Sequence, residues 1–337
     1  MRKISRFSLI FLFIASLFSP QAISASTLQQ DTPASANKIY ERIDLPKQNP
    51  QKAAALEEKY KKDQQQFKKV KKFSSAELNQ FKQTKGKFDS AGSQGKIIEG
   101  QDALTPKSSS PAAASAAAPT VLDNRVKVTN TTVSPYNAIA QIDFRDSAGN
   151  WYICSGSFLD ETTVLTAAHC VYDNNSHEFY TYWNVYPGEN GPLLPYGSVS
   201  STNVYAPVGW VTSTAPGAGL VSLGDVQYDY AVIKVNSSHA PRLPVSSASL
   251  LGDSIVTHGY PGDKGVGGYY YLYKSAGSIS NFIDNAIIHT GSVTGGMSGG
   301  PILKGSSIIS VNSTASWGPR FGATHLNNIE QLRALPY

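Results

Sequence analysis

Beyond residue 120, short apolar runs alternate with Gly, Pro, Asn and Ser. Residues 138–144, 164–167, 230–235, 254–259, 286–289 and 307–311 each have the length and composition of a strand. No long helical pattern separates them, so the spacing predicts an antiparallel sandwich or barrel. One helix is predicted in this part, at residues 327–335. The upstream third reads differently. Residues 26–90 are rich in Lys, Gln, Ala and Glu, and 53–72 reads as a helix whose sparse apolar positions are Leu56, Tyr60, Phe67 and Val70. Such a helix has little to bury by itself. Residues 106–119 form a linker of serines and alanines punctuated by Pro111. No internal repeat is visible.

The first residues carry Arg2, Lys3 and Arg6 ahead of an apolar run at 9–18, with small residues at Ala22, Ser24 and Ala25. This is the pattern of a secretory signal peptide, residues 1–25, and the run is short for a membrane span. No cysteine follows it to carry a lipid anchor. The expected destination is outside the cell, or the periplasm. Of the 337 residues, 26–120 hold 16 Lys/Arg against 10 Asp/Glu, a balance of +6. Residues 121–337 hold 10 against 14, a balance of −4, so the overall +5 conceals two opposite halves. A basic segment tethered to an acidic domain suggests a pro-region, 26–120, that docks on and restrains its own enzyme. Nucleic-acid binding has no supporting recognition pattern. A basic tail that contacts an acidic surface is the competing reading.

The candidate chemistry lies in three places. Thr294-Gly295-Gly296-Met297-Ser298-Gly299-Gly300-Pro301 puts a serine in a glycine-rich turn. Thr166-Ala167-Ala168-His169-Cys170 puts a histidine after a small-residue strand. Between them, Tyr228-Asp229-Tyr230-Ala231-Val232-Ile233 puts an acid at the head of an apolar strand. A serine hydroxyl is a poor nucleophile unless an imidazole takes its proton and a carboxylate fixes the imidazole tautomer. The chain order His, Asp, Ser differs from that of subtilisin-type and hydrolase-fold enzymes.

With these motifs, residues 121–337 resemble a trypsin-like (chymotrypsin-fold) serine endopeptidase. Asp123-Asn124-Arg125, Val128-Thr129-Asn130-Thr131-Thr132, Gly197-Ser198-Val199 and Gly259-Tyr260-Pro261-Gly262-Asp263-Lys264 resemble its bacterial glutamyl endopeptidase branch. The resemblance implies an all-β domain of two packed antiparallel six-stranded barrels with a short C-terminal helix, preceded by the partly helical pro-region. It places His169 and Asp229 on the first barrel and Ser298 on the second, with the cleft between. Ser298 is then the nucleophile, His169 the general base and acid, and Asp229, rather than Asp225, the orienting carboxylate. The amides of Gly296 and Ser298 are the expected oxyanion hole. Gly252-Asp253-Ser254 falls in a barrel strand and is not read as a nucleophile motif. Cys154 and Cys170, the two cysteines, are expected to be bridged as in that family, in an exported chain where disulfides persist. No CxxC or HxxxH spacing suggests a metal, and no cofactor is expected.

Met297 stands where trypsin has an aspartate that pairs with the new N-terminal amine. Processing near Thr120 or Val121 is expected instead to create a hydrophobic N-terminus used locally. Ser292, six positions before the nucleophile, offers no carboxylate to attract Lys or Arg. Asn312 aligns with the histidine of Glu-specific members, so an acidic preference lacks its usual cation. Thr294, Asn312, Ser313 and His325 are the expected neutral pocket, suited to Gln, Asn, Ser or a protonated acid; a second alignment would run Ser316-Trp317-Gly318 along its wall and favour apolar side chains. The expected specificity is therefore not trypsin-like, with Glu or another polar or apolar residue open. The substrates are proteins or peptides, and a monomer is expected. The alternative is an inactive homologue that binds peptides or acts in surface adhesion.

Overall fold

The computed structural model describes residues 40–43, 45–67, 97–99 and 123–337, all within the unit Lys38–Tyr337. The signal-peptide assignment, the linker and the processing point lie outside the described residues.

Two antiparallel sheets make the body of the molecule. The first runs Val199–Ser201, Tyr182–Pro187, Ile139–Arg145, Trp151–Asp160, Thr163–Thr166, Ala231–Lys234, Asn203–Pro207 and Ile97–Glu99. The second runs Ser307–Val311, Pro301–Lys304, Ser254–Gly259, Tyr273–Ile283, Ala286–His289 and Trp317–Pro319. This is the expected pair of six-stranded barrels, with two short strands added at the ends of the first and Val126–Lys127 added against Tyr273–Ile283 in the second. All six sequence-predicted strands are present.

The strands read as near-continuous apolar runs because both of their faces are covered. Successive side chains point to opposite faces, and in the first barrel Ile142, Phe144, Cys154, Val164, Ala231 and Ile233 fill the interior. Their chain neighbours Ile153, Leu165 and Val232 face outward into a core shared with Tyr260, Leu303, Ile308 and Val311 of the second barrel. Ile302 and Ile309 turn the other way, into the second barrel's own interior with Ile255, Ile279 and Ile287. Period-two alternation thus sorts each strand between its barrel and the inter-barrel seam.

The C-terminal helix is Ala323–Ala334, four residues earlier at its start than the pattern indicated. His325 Nδ1 accepts the Gly322 amide at 3.2 Å and so satisfies one donor at the helix entrance. The upstream helix is Pro50–Phe67 rather than 53–72, and residues 68–72 lie outside the described residues. Its start follows from Asn49-Pro50. The Asn49 carboxamide oxygen accepts the Gln51 and Lys52 amides at 3.0 and 3.3 Å, and Pro50 supplies a helical φ without needing a partner for its nitrogen.

One face of this helix, at Lys52, Leu56, Lys59, Tyr60 and Asp63, packs on the outside of the first barrel. Leu56 is buried with Trp151, Tyr182 and Tyr186. Glu57 takes the Arg145 guanidinium at 2.8 and 3.1 Å and the Trp151 indole N–H at 3.2 Å. The Lys52 ammonium enters a buried acidic pocket, 3.2 Å from Asp143 and 3.8 Å from Glu189. The side-chain carboxamides of Gln48 and Gln141 both donate to Asp143, and the Tyr270 hydroxyl donates to the Gln48 side-chain oxygen.

Burial pushes the Glu189 carboxyl up to about 7; Lys52 opposes this and Asp143 adds to it. The folded state therefore binds this proton more tightly than the unfolded chain, so stability falls as pH rises from the ordinary carboxyl range to about 7 and is flat above it. Glu189→Gln is expected to remove that slope, measured as Tm of the full chain between pH 4.5 and 8.

Candidate active site

His169 lies on the one-turn helix Ala168–Cys170, directly after the strand Thr163–Thr166. The turn is fixed by the Cys154–Cys170 disulfide, which ties it to the neighbouring strand across a Cα separation of 6.3 Å. The Trp183 indole N–H donates to the Cys170 carbonyl at 2.9 Å from inside the barrel. Asp229 ends the turn Val226–Tyr228 and precedes the strand Ala231–Lys234.

The Asp229 carboxylate is fully buried and has three donors. Its Oδ1 accepts the His169 backbone amide at 2.9 Å, and its Oδ2 accepts His169 Nδ1 at 2.8 Å and the Ser313 hydroxyl. An Nδ1 bound to a carboxylate carries the proton, which leaves Nε2 with its lone pair. His169 Nε2 is buried and has no hydrogen-bond partner among the described residues. Trp210 lies beside the imidazole, with ring centroids 6.4 Å apart.

Ser298 sits in the loop before the strand Pro301–Lys304, on the second barrel. Gly296 has φ +92°, and a side chain there would also meet the Tyr260 carbonyl at 2.5 Å. Glycine is needed at Gly296 on both counts. At Gly299, also at positive φ, a Cβ would meet Thr166 Oγ1 at 2.1 Å, so the loop presses against the strand that leads to His169. The Ser155 amide donates to the Ser298 carbonyl at 2.7 Å, and the Ser155 hydroxyl donates to the Gly296 carbonyl at 2.8 Å and accepts the Tyr260 amide at 2.9 Å. These bonds turn the carbonyls of the loop away from its cleft side. Cys170 Sγ lies 3.8 Å from the Ser298 carbonyl oxygen, which brings the Ser298 loop against the histidine turn.

The expected pocket residues divide. Ser292 and Thr294 are together, on a floor completed by residues 123–125. The Asn124 amide donates to Ser292 Oγ at 3.4 Å, its carboxamide donates to the Ala276 carbonyl at 3.0 Å, and Arg125 donates to Thr294 Oγ1. Arg125 also pairs with Asp123 at 2.8 Å and Asp263 at 2.6 Å, and Lys264 reaches Asp123 at 3.2 Å, so the two cations and two acids balance. Asn312 is committed elsewhere. Its two amide hydrogens go to the His258 and Met297 carbonyls at 2.9 and 3.0 Å, which leaves only an acceptor oxygen. Ser313 serves Asp229.

His325 is not part of this group. Its Nδ1 holds the Gly322 amide, its Nε2 bonds to the Gln227 carbonyl at 3.0 Å, and it lines a separate cavity of about 420 Å³ with Tyr230, Asn285, Arg320 and Asn328. Its place near the C-terminal helix start, against Tyr230 and Phe321, is set by ring packing that the linear spacing did not reveal. His258 and His289 are completely buried, and burial pushes each down to about 4. Neither is a cation at neutral pH. The strand Trp317–Pro319 pairs with Ala286–His289 and buries the Trp317 indole in the core of the first barrel. Sequence reasoning missed Ser155 and Arg125 as site residues. Cys154-Ser155-Gly156-Ser157 marked the strand, but nothing in it marked a bond to a loop more than a hundred residues away.

This arrangement is that of a serine endopeptidase of the trypsin-like class. Residues 154–307 match the trypsin-like peptidase domain family. The glutamyl endopeptidase of Bacillus licheniformis is 32% identical over 240 residues, 70% of this chain and 69% of that protein. The chain belongs to this family, and its likeness runs to the bacterial glutamyl endopeptidases. A solved glutamyl endopeptidase structure superposes with TM-score 0.56 at 31% identity, covering 63% of this chain and 98% of that one. The protease Anisep from Arthrobacter nicotinovorans gives 0.51 at 25% identity, over 63% of this chain and all of that one. A Bacillus subtilis protein named extracellular metalloprotease is 28% identical over 219 residues, 61% of this chain and 66% of its own length. Cys154, His169 and Cys170 are the one cluster of possible metal ligands among the described residues. Their donor chemistry does not suit a metal, because the two sulfurs are bonded to each other and His169 Nδ1 is held by Asp229.

The disulfide closes a separation of 16 residues. Replacing both cysteines by alanine is expected to lower the unfolding free energy by about 3 kcal/mol, the loop-closure magnitude for this length. Denaturant unfolding under non-reducing conditions measures it.

Proposed function

We propose that this protein is an exported serine endopeptidase, made as a zymogen, that hydrolyses peptide bonds by a Ser298–His169–Asp229 triad. The observation that carries the reading is the Asp229 clamp on both the backbone and ring of His169, next to the glycine-formed loop that presents Ser298. In the first step His169 Nε2 takes the Ser298 hydroxyl proton as Oγ attacks the scissile carbonyl. Asp229 holds the tautomer that makes Nε2 the acceptor and stabilises the imidazolium. The tetrahedral oxyanion is held by the amides of Gly296 and Ser298, each donor worth about 2.7–4 kcal/mol in the transition state. His169 then gives its proton to the leaving amine, and a water deprotonated by the same nitrogen releases the acyl-enzyme.

Residues 1–25 act as the export signal, which accords with a relative named as extracellular. Residues 26–120 act as the pro-region, supported by the docking of Pro50–Phe67 on the first barrel. Cleavage near Thr120 or Val121 frees the domain 121–337, and residues 123–125 already lie on the Ser292–Thr294 floor. That floor has no unbalanced charge, and Asn312 offers it no donor. An uncharged side chain is therefore favoured at the scissile position over Lys or Arg.

Ser298→Ala is expected to lower kcat/KM by roughly 10⁶-fold and Asp229→Asn by about 10⁴-fold. Digestion of a diverse peptide pool by the activated wild type, read by mass spectrometry, should show few cuts after Lys or Arg. N-terminal sequencing of the active form should begin at 120–121. Absence of any Ser298-dependent cut in the activated protein would favour a peptide-binding homologue.

A further inference from the structure

The upstream segment does more than dock its helix on the outside of the barrel. Before the helix, the chain passes along the cleft in two stretches, residues 40–43 and 45–48. Tyr40–Arg42 forms an antiparallel strand with Leu220–Ser222, in the loop that leads to Asp229. The Ile43 amide continues the pairing by donating to the Gly219 carbonyl at 2.8 Å. The Glu41 carboxylate accepts the hydroxyls of Thr314 and Ser316, immediately after the Ser313 that binds Asp229. Ile43 is buried in the same apolar cluster as Ala168, Cys170, Trp210 and Val221.

The second stretch lies on the opposite flank. Ile153 donates to the Pro46 carbonyl at 3.2 Å, Lys47 bridges Tyr152 antiparallel, and the Gln48 amide donates to the Trp151 carbonyl at 2.8 Å. Ile153 immediately precedes Cys154 of the disulfide. Pro46 rests against Gly262, where a Cβ would meet its ring at 2.8 Å, and Gly262 and Ile153 are both close neighbours of Gly296. Leu45, at the start of the second stretch, packs on the first-barrel core. At most about 10 Å of chain separates residues 43 and 46. The segment therefore reaches from the Asp229 side to the Gly296 side of the cleft, and His169 and Ser298 are 3% and 5% exposed.

Building on the triad reading, we infer that residues 40–43 and 45–48 occupy the cleft as an extended peptide would, making the pro-region a competitive, substrate-like inhibitor anchored by the Pro50–Phe67 helix. An extended ligand gains affinity by pairing its backbone with exposed strand edges. Among the described residues, the backbone edges at 219–222 and 151–153 are already paired with this segment, and the Glu41 carboxylate holds the hydroxyls of 314 and 316. A second peptide cannot pair with these edges until this segment leaves. The helix supplies the anchor through Lys52, Leu56 and Glu57, which raises the effective concentration of the tethered strand in the cleft. Latency then resides in occupancy of the cleft as well as in the uncut N-terminus.

The test uses the full chain. Glu41→Ala with Ile43→Asp is expected to speed fluorophosphonate labelling of Ser298 at least tenfold over the unsubstituted chain. Glu41→Ala alone, which removes only the carboxylate on Thr314 and Ser316, should move it in the same direction. Labelling at the unsubstituted rate in both variants, when a sample cut within residues 100–122 and diluted is labelled rapidly, would overturn the inference. If no form is labelled, the triad reading is what fails, and hydrogen exchange of Ser298→Ala full chain decides this proposal. Slow exchange at the Ile43, Gln48 and Ile153 amides, accelerated at least tenfold by Glu41→Ala with Ile43→Asp, supports it. Exchange at unprotected rates in the parent chain overturns it.

Discussion

A single buried carboxylate organises the site. Asp229 belongs to the first barrel, yet one of its three donors, Ser313, comes from the segment after the last long strand of the second. Removing an ionised carboxylate from water costs several kcal/mol even after relaxation, so it is tolerated only where donors surround it. Two donors come from His169, one from the backbone and one from the ring. The same bonds that compensate the buried charge therefore set the position of the imidazole, its orientation and its tautomer. The barrels have to close on each other before that carboxylate is satisfied.

The seam between the barrels has the same logic at larger scale. Ser155 sends its amide to the Ser298 carbonyl and its hydroxyl to the Gly296 carbonyl, so a first-barrel strand fixes the second-barrel loop that carries Ser298. Gly299 lets that loop approach Thr166 to within a distance no other residue permits. Apolar side chains from alternate positions of the strands fill the space behind. The cleft opens at the edge of this seam, where strand edges remain unpaired within the barrels, and the upstream segment uses those edges. An upstream segment with low apolar content can be held there because it borrows a surface: Leu56 enters an aromatic patch of the barrel, and Lys52 and Glu57 meet opposite charges.

Much of this was legible in the chain. Short apolar or alternating runs, turn residues and the absence of long helical patterns point to an antiparallel sandwich or barrel, the family resemblance narrows this to two packed barrels, and local motifs single out His169, Asp229 and Ser298. The Cys154–Cys170 pairing followed from the family resemblance and is present. The helix starts were less legible: Asn49-Pro50 carried a capping signal, whereas His325 capping Gly322 shows only when the ring is placed. The pocket was least legible. Asn312 and Ser313 were expected to face a substrate, and both are instead spent on internal acceptors, while His325 lies in another cavity.

The division has a physical cause. Alternation, glycine turns and charge imbalance are properties of a few consecutive residues, so the strands, the basic upstream segment and the three chemical motifs can be read from the chain. Which hydroxyl satisfies which buried acid depends on atoms 84 residues apart, as for Ser313 and Asp229. Where the upstream segment lies depends on contacts over more than 270, as for Glu41 and Thr314. Hydrogen bonds and close contacts of that kind leave no periodicity in the chain, because their partners are brought together only by the closure of the two barrels. The tertiary structure alone decided the committed roles of Asn312 and Ser313, the floor formed by residues 123–125, and the passage of the chain's own segment along the cleft.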